Sequence, residues 1–149
     1  FKLDDSLKNL FIASALFRHT GESISIKDYE RHSAYISENA DIPRIEVAES
    51  KLISKLILEH CSEKVDIRKP FDLNLKNNQY LQLVALLRVL DAFDTTTLQT
   101  RKTLPKIKLS ADTIIFGTKV SPVDYIDKIR LDKKKALLEK ISHKKVKIF

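Results

Sequence analysis

Apolar and polar positions divide this chain into a longer helical part followed by a short part with alternating segments. The stretch Tyr80–Asp94 is apolar on nearly every side of a helix, which predicts a central helix surrounded by other helices. Apolar residues at three- and four-residue spacing predict three more helices upstream. The first follows a cap cluster at Asp4, Asp5 and Ser6, the second follows a cap at Ser25, and the third starts near Glu46. We therefore expect a helical domain over residues 1–100.

The sequence also predicts the inner face of the second helix and a long connection before the central helix. For the second helix we expect an inner face formed by four residues: Ile26, Tyr29, Ser33 and Ile36. Between the third helix and the central one, the polar segment 62–79 carries Pro70 and predicts a long connection.

The pattern changes after residue 100. Two short β-type runs, Lys106–Leu109 and Thr113–Phe116, predict a hairpin. Pro122 is placed to open a helix that continues to about Ile141. The alternating residues 144–149 predict a third strand. The fold class is thus mainly α, with a small β-β-α-β appendage over residues 101–149 packed on the helical domain.

Composition narrows the class of protein. With 149 residues, 43% of them hydrophobic, the chain is large enough for one core and a small appendage. A single cysteine excludes an internal disulfide and fits a reducing, cytoplasmic location. No apolar run approaches the ~20 residues that span a bilayer, so we expect no membrane partner. The chain begins at Phe1 and has no Met, which we interpret as a piece of a longer polypeptide.

Positive charge is concentrated at the end of the chain. Residues 1–100 hold 13 Lys and Arg against 15 Asp and Glu, or −2, whereas residues 101–149 hold 14 against 5, or +9. A row of such side chains binds a linear polyanion by releasing counterions. Polyphosphate, RNA and DNA are all linear polyanions and would all bind in this way. A solvated basic face without a ligand is equally compatible. The candidate polyanion-binding residues are Lys128, Arg130, Lys133, Lys134, Lys135, Lys140, Lys144 and Lys145.

Few other residues suggest chemistry. Arg88 and Asp91 share one face of the central helix, which predicts either a structural clasp or the floor of a pocket. Cys61 follows His60, and because neighbouring helical positions point about 100° apart we expect them not to act as a nucleophile and its base. With two glycines in the whole sequence, a glycine-rich phosphate loop is excluded.

Three segments resemble a known family: residues 85–96 (ALLRVLDAFDTT), 15–43 (ALFRHTGESISIKDYERHSAYISENADIP) and 53–61 (ISKLILEHC). They are similar to the C-terminal half of the exopolyphosphatase / guanosine pentaphosphate phosphohydrolase (Ppx/GppA) family, and the resemblance covers essentially the entire chain. It implies an HD-like helical domain behind N-terminal actin-like catalytic domains, absent here. Those domains hydrolyse terminal phosphoanhydrides of polyphosphate or pppGpp with carboxylates and Mg²⁺. This chain would carry no catalytic residue and no cofactor of its own; it would dimerise and bind the polyanion.

The resemblance also implies an eroded HD-type metal pocket. His32, His60 and Asp91 match pocket positions, with Arg88 beside them, whereas the family's His-Asp pair falls on Arg18 and His19. A shift of one residue turns a helical side chain by about 100°, so we expect His19 to point away. We expect no metal, and a hydrogen-bonded cluster in which Arg18 replaces the ion opposite Asp91. A metal-dependent HD-type nucleotide phosphohydrolase and a nucleic-acid-binding module are the alternative functions.

Overall fold

A computed structural model of the chain describes residues 3–62, 65, 75–93, 106–117 and 123–148. Within these ranges the side chains of Asn77, residues 123–128 and Ile148 are outside the description. The chain divides into two compact units, Phe1–Leu87 and Arg88–Phe149. The predicted domain boundary between residues 100 and 101 falls outside the described residues and stays a prediction. Most of the predicted connection 62–79 also lies outside them, but its last three residues belong to the helix Asn77–Phe93, so the connection was predicted too long at that end.

The described residues confirm a mainly α fold with a small β appendage. The helices are α1 (Asp5–Phe17), α2 (Tyr29–Asn39), α3 (Val47–Cys61), α4 (Asn77–Phe93), α5 (Val123–Lys134) and α6 (Ala136–Ser142). The strands are β1 (Lys106–Leu109), β2 (Thr113–Gly117) and β3 (Lys145–Ile148). A 3₁₀ turn at Thr20–Ser23 separates α1 from α2.

Helix α1 begins where the sequence predicts it. The Asp4 carboxylate accepts a hydrogen bond from the backbone N–H of Leu7 at 2.8 Å, which satisfies one of the donors that a helix start leaves unpaired. Leu7 and Leu10 are buried one turn apart. The apolar spacing that predicted this helix therefore corresponds to buried side chains at its start.

Helix α2 begins later than predicted. Ser25 is not its cap, because the Ser25 hydroxyl accepts from the backbone N–H of Lys27 in a local turn and the helix starts at Tyr29. The residue before the helix, Asp28, has a left-handed backbone with φ 55°. Ile26 therefore precedes the helix and is 84% exposed, so its predicted place on the inner face was wrong.

Helix α3 supplies much of the core of the first unit. It starts with a capping box in which Glu46 and Glu49 each accept a hydrogen bond from the other's backbone N–H. It packs against both α1 and α2. Four of its apolar side chains are fully buried: Leu52, Ile53, Leu56 and Ile57. In α4, Leu83, Val84 and Leu87 are also fully buried, as expected for a helix that is apolar on most sides.

One glycine allows the turn after α1 to lie close to α2. A Cβ atom at Gly21 would lie 2.2 Å from the carbonyl oxygen of Tyr29 and 2.4 Å from the backbone nitrogen of Ser33. The Gly21 N–H also donates to the Ser33 hydroxyl at 2.8 Å. Both obstructing atoms belong to the backbone of α2, so the close approach requires glycine.

The second unit contains a three-stranded sheet in the order β1-β2-β3. The predicted hairpin is confirmed, with β1 antiparallel to β2. The predicted third strand is confirmed too, and it pairs parallel to β2. The helix expected to reach Ile141 is interrupted at Lys135, so that α5 and α6 replace one helix. The buried side chains around this sheet include Phe93, Phe116, Leu131, Leu138 and Val146, with the Phe93 and Phe116 ring centroids 5.0 Å apart.

Candidate functional site

The predicted pocket residues fall in both units. Arg18, His19, His32 and His60 belong to the first unit, and Arg88 and Asp91 to the second. Each group is therefore described by itself. The predicted arrangement of Arg18 opposite Asp91 would join the two units and stays a prediction.

In the first unit, three aromatic rings come together at the end of α1. The His19 ring stacks on Tyr29, with centroids 5.1 Å apart and planes 15° from parallel. His60 meets both rings edge-on, 6.3 Å from each. We expected the His19 side chain to point away from the other predicted pocket residues. That expectation was wrong for His60, whose ring lies beside the His19 ring. Helix α1 ends at Phe17, so the helical rotation used for that expectation does not apply two residues later.

Arg18 and His32 lie near this ring cluster in the chain but have other contacts. Arg18 is buried, with 7% of its surface exposed, and its guanidinium donates to the carbonyl of Ala15 one turn earlier in α1. His32 lies on α2 and is partly exposed. Among the described ring contacts of this cluster, none involves His32.

A thiol is part of the same cluster. The Cys61 sulfur lies 3.3 Å from Nε2 of His60 and 3.2 Å from the Tyr29 hydroxyl. His60 is fully buried and its Nδ1 contacts the Ile57 carbonyl. A carbonyl only accepts, so Nδ1 carries a proton, and in the neutral ring Nε2 accepts from the thiol. Tyr29 then donates to the sulfur.

The geometric reason for expecting His60 and Cys61 not to act as a nucleophile and its base was therefore wrong, whereas the absence of a catalytic role stays a prediction. The angle between neighbouring helical positions describes where side chains leave the helix, whereas an imidazole extends far enough to return towards its neighbour. The contact with Ile57 holds the ring in that position. The pairing has no sequence motif, so spacing alone did not reveal it. It brings a thiol within hydrogen-bond distance of a base, which is the arrangement that activates a nucleophile.

His19 also contacts an acidic side chain beside the ring cluster. The His19 ring lies 2.7 Å from the Glu22 carboxylate, and 33% of the His19 side chain is exposed. Within each unit, the described residues include no group of three or more His, Cys, Asp or Glu side chains that could hold a metal ion. The ring cluster is thus a packed, hydrogen-bonded group of aromatic and sulfur side chains.

In the second unit, Asp91 pairs with a lysine of the basic set. Its carboxylate accepts a hydrogen bond from the Lys134 ammonium, and the two side chains are only 10% and 21% exposed. Arg88 is buried as well, at 8% exposed. Lys134 therefore contributes to the interior of the second unit, because a carboxylate this buried needs a charged partner.

The structure separates the other predicted polyanion-binding residues into two groups. The Lys135 ammonium contacts Asp132, and Lys144 donates to the carbonyls of Ser110, at 2.7 Å, and Ala111. These two lysines hold parts of the fold together. Four others are exposed to solvent: Arg130, Lys133, Lys140 and Lys145. The side chain of Lys128 lies outside the described residues.

A second group of lysines becomes visible only through the strand register. Lys108 of β1 and Lys147 of β3 both pair with Ile115 of the middle strand, so all three lie on one face of the sheet. Lys106 pairs with Gly117 and Lys145 with Thr113 on that same face. All four lysines are exposed. We call Lys106, Lys108, Lys145 and Lys147 the lysine face.

Sequence reasoning assigned only Lys145 of this face to the polyanion-binding set. The available signal was the repeated Lys-x-Lys pattern, KIKL in β1 and KVKI in β3, since alternate strand residues share a face. What the pattern does not give is that β1 and β3 flank the same strand. The pairing of β3 with β2 joins residues 32 positions apart in the chain, such as Ile115 and Lys147.

The fold and these surfaces define a class: a mainly helical domain with a small basic sheet. Within the described residues, no helix is both long enough and apolar enough to cross a bilayer. Residues 2–140 match the family model described as Ppx/GppA phosphatase, domain III. The chain therefore belongs to the Ppx/GppA phosphatase family, a family of hydrolases that includes exopolyphosphatases, and corresponds to its third domain. The resemblance noted in the sequence is confirmed.

Proposed function

We propose that this domain binds a linear polyanion and contributes to dimerisation, while the N-terminal actin-like domains of its parent protein carry out catalysis. The parent would hydrolyse terminal phosphoanhydrides of polyphosphate or pppGpp in the cytoplasm. Mg²⁺ would serve those catalytic domains, and the domain described here would need no cofactor. The residues around His60 and Asp91 would then maintain the fold.

The observation that carries the polyanion proposal is the exposed position of three cations on α5 and α6. Arg130, Lys133 and Lys140 extend into solvent from the part of the chain with a formal charge of +9. Polyphosphate carries closely spaced charges, so each contact releases a condensed counterion. Such binding is strong at low salt and does not depend on the order of monomers in the ligand.

The experiment measures polyphosphate binding by the purified chain as a function of salt. With three cations engaged, we expect the logarithm of the binding constant to fall against the logarithm of salt with a slope of about −2. The double variant Lys133→Gln/Lys140→Gln should lower the slope to about −1 and the affinity about tenfold at low salt. The control Lys27→Gln/Lys51→Gln removes the same charge from exposed positions of the first unit. Equal losses in both variants would show net charge acting at a distance and overturn the proposal.

Dimerisation is supported by exposed apolar side chains on α1. Ile12 and Leu16 lie one helical turn apart and are 54% and 73% exposed. Neighbouring apolar side chains on one helix face are favourable to bury against a second copy. We infer that this face of α1 takes part in the dimer interface.

A further inference from the structure

The lysine face differs from the exposed cations of α5 and α6 in having an apolar centre. Ile115 lies between Lys108 and Lys147 in one row across the sheet and is partly exposed. Neighbouring strands are about 4.8 Å apart, so the two lysine backbones are about 10 Å apart with the isoleucine between them. Along each outer strand, successive lysines are about 7 Å apart.

The described strand residues of the lysine face carry no negative charge. The register places seven described residues on it: Lys106, Lys108, Thr113, Ile115, Gly117, Lys145 and Lys147. None of these is acidic. Two acidic residues lie close to the face but outside its strand positions: Asp112 is in the turn between β1 and β2, and the Glu139 carboxylate accepts a hydrogen bond from the Val146 backbone N–H at 2.8 Å. The face therefore presents four cations around a small neutral strip.

A ligand that fits this arrangement needs both phosphates and flat apolar groups. We propose that the lysine face binds single-stranded nucleic acid, with lysines on the phosphates and Ile115 against a base or sugar. Polyphosphate has no apolar group to contact Ile115. A duplex keeps its bases stacked inside, where a side chain on a flat face does not reach them. A single strand exposes both its backbone charge and its bases.

This mode of binding has predictable properties. The contacts to phosphate are electrostatic, so affinity falls with salt, with a slope of about −3 for four lysines on a single strand. Ile115 forms no hydrogen bond to a base edge, so we expect weak dependence on base identity. The described strand residues on this face include no aromatic ring for stacking, so each base should add less affinity than a stacked one. The inference goes beyond the polyphosphate proposal because it uses a different surface and a different ligand.

The experiment measures anisotropy of labelled twelve-nucleotide oligouridylate with the purified chain at about 50 mM salt, where phosphate contacts dominate. The variant Lys108→Gln/Lys147→Gln should weaken binding about tenfold and halve the salt slope. Ile115→Thr, which keeps a β-branched side chain, should weaken RNA binding about threefold and leave polyphosphate binding unchanged. Lys27→Gln/Lys51→Gln is the control with matched charge, and circular dichroism verifies that each variant is folded.

Three results would overturn the inference. The first is unchanged RNA binding in Lys108→Gln/Lys147→Gln. The second is displacement of RNA by an equal phosphate concentration of polyphosphate, together with no effect of Ile115→Thr, which indicates a general polyanion surface. The third is equal affinity for a twelve-base-pair duplex. An oligothymidylate of the same length tests whether the face contacts the 2′-hydroxyl. We expect the two oligonucleotides to bind equally, because the proposal assigns no contact to that group.

Discussion

The sulfur of Cys61 lies 3.3 Å from Nε2 of His60, although the two residues are neighbours on one helix. Because His60 is fully buried and bonded to the Ile57 carbonyl through its other nitrogen, its ring position is determined by the protein interior. The thiol is the more exposed partner. This asymmetry predicts that stability depends mainly on the imidazole.

His60→Ala should lower the free energy of unfolding by about 2–4 kcal/mol, since it removes buried volume and the hydrogen bond from the imidazole to the Ile57 carbonyl. Urea denaturation measures this loss. Cys61→Ser keeps a donor of similar size and should cost about 1 kcal/mol or less. His143→Asn is the surface control, because Asn tolerates the left-handed backbone at that position. A His60→Ala loss no larger than that of the surface control would contradict the role assigned to His60.

Gly21→Ala should destabilise the first unit by about 3 kcal/mol, because its Cβ would overlap backbone atoms of α2 that cannot move aside. Gly117→Ala is a matched control in the second unit. Its Cβ would lie 3.4 Å from the Lys106 carbonyl oxygen, so we expect a change of about 0.5 kcal/mol or less. Thermal unfolding of both variants tests the difference. Similar melting temperatures for the two alanine variants would be inconsistent with the close approach described here.

Lys134→Gln should affect stability more than ligand binding. Its ammonium is mostly buried against the Asp91 carboxylate, so its loss should cost about 2 kcal/mol of unfolding free energy. Lys133→Gln, at the adjacent exposed position, should cost about 0.5 kcal/mol or less and weaken polyphosphate binding more. Denaturation and ligand titration of both single variants give the comparison. If Lys134→Gln instead cost less stability than Lys133→Gln and weakened polyphosphate binding more, Lys134 would belong to the polyanion-binding residues.

Leu16→Ser should shift the chain towards monomer, because it removes the more exposed of the two apolar side chains on α1. Sedimentation equilibrium over a range of concentrations measures the change, and we expect a dissociation constant at least about tenfold weaker. Val47→Ser replaces a similarly exposed apolar residue, 74% exposed, at the start of α3. If both variants dimerise as tightly as the unsubstituted chain, the interface lies elsewhere.

The sequence predicted those elements whose signals are local. Three such signals are confirmed: the cap cluster at residues 4–6, of which Asp4 is the cap, the start of α3 near Glu46, and the hairpin between Leu109 and Thr113. The start of α2 was missed because Ser25 has the right side chain for a cap but bonds within a local turn. Propensity does not distinguish these two uses of a serine hydroxyl.

Positions that depend on tertiary contacts were less predictable. His19 was misplaced because its direction follows from the end of α1 and from stacking on Tyr29. Lys134 was grouped with surface cations because its partner, Asp91, lies 43 positions away in the chain. The lysine face required the pairing of β3 with β2, which a single sequence does not reveal.

In the order β1-β2-β3, the central position of β2 depends on the last strand, which has four residues. β2 occupies the middle of the sheet only because β3 returns to it after two intervening helices. The hairpin can close early from nearby residues, but its second strand stays an edge until Val146 and its neighbours arrive. Late assembly of this kind makes an unfinished hairpin, with Ile114 and Phe116 unshielded, the state in which a newly synthesised chain is most exposed to aggregation.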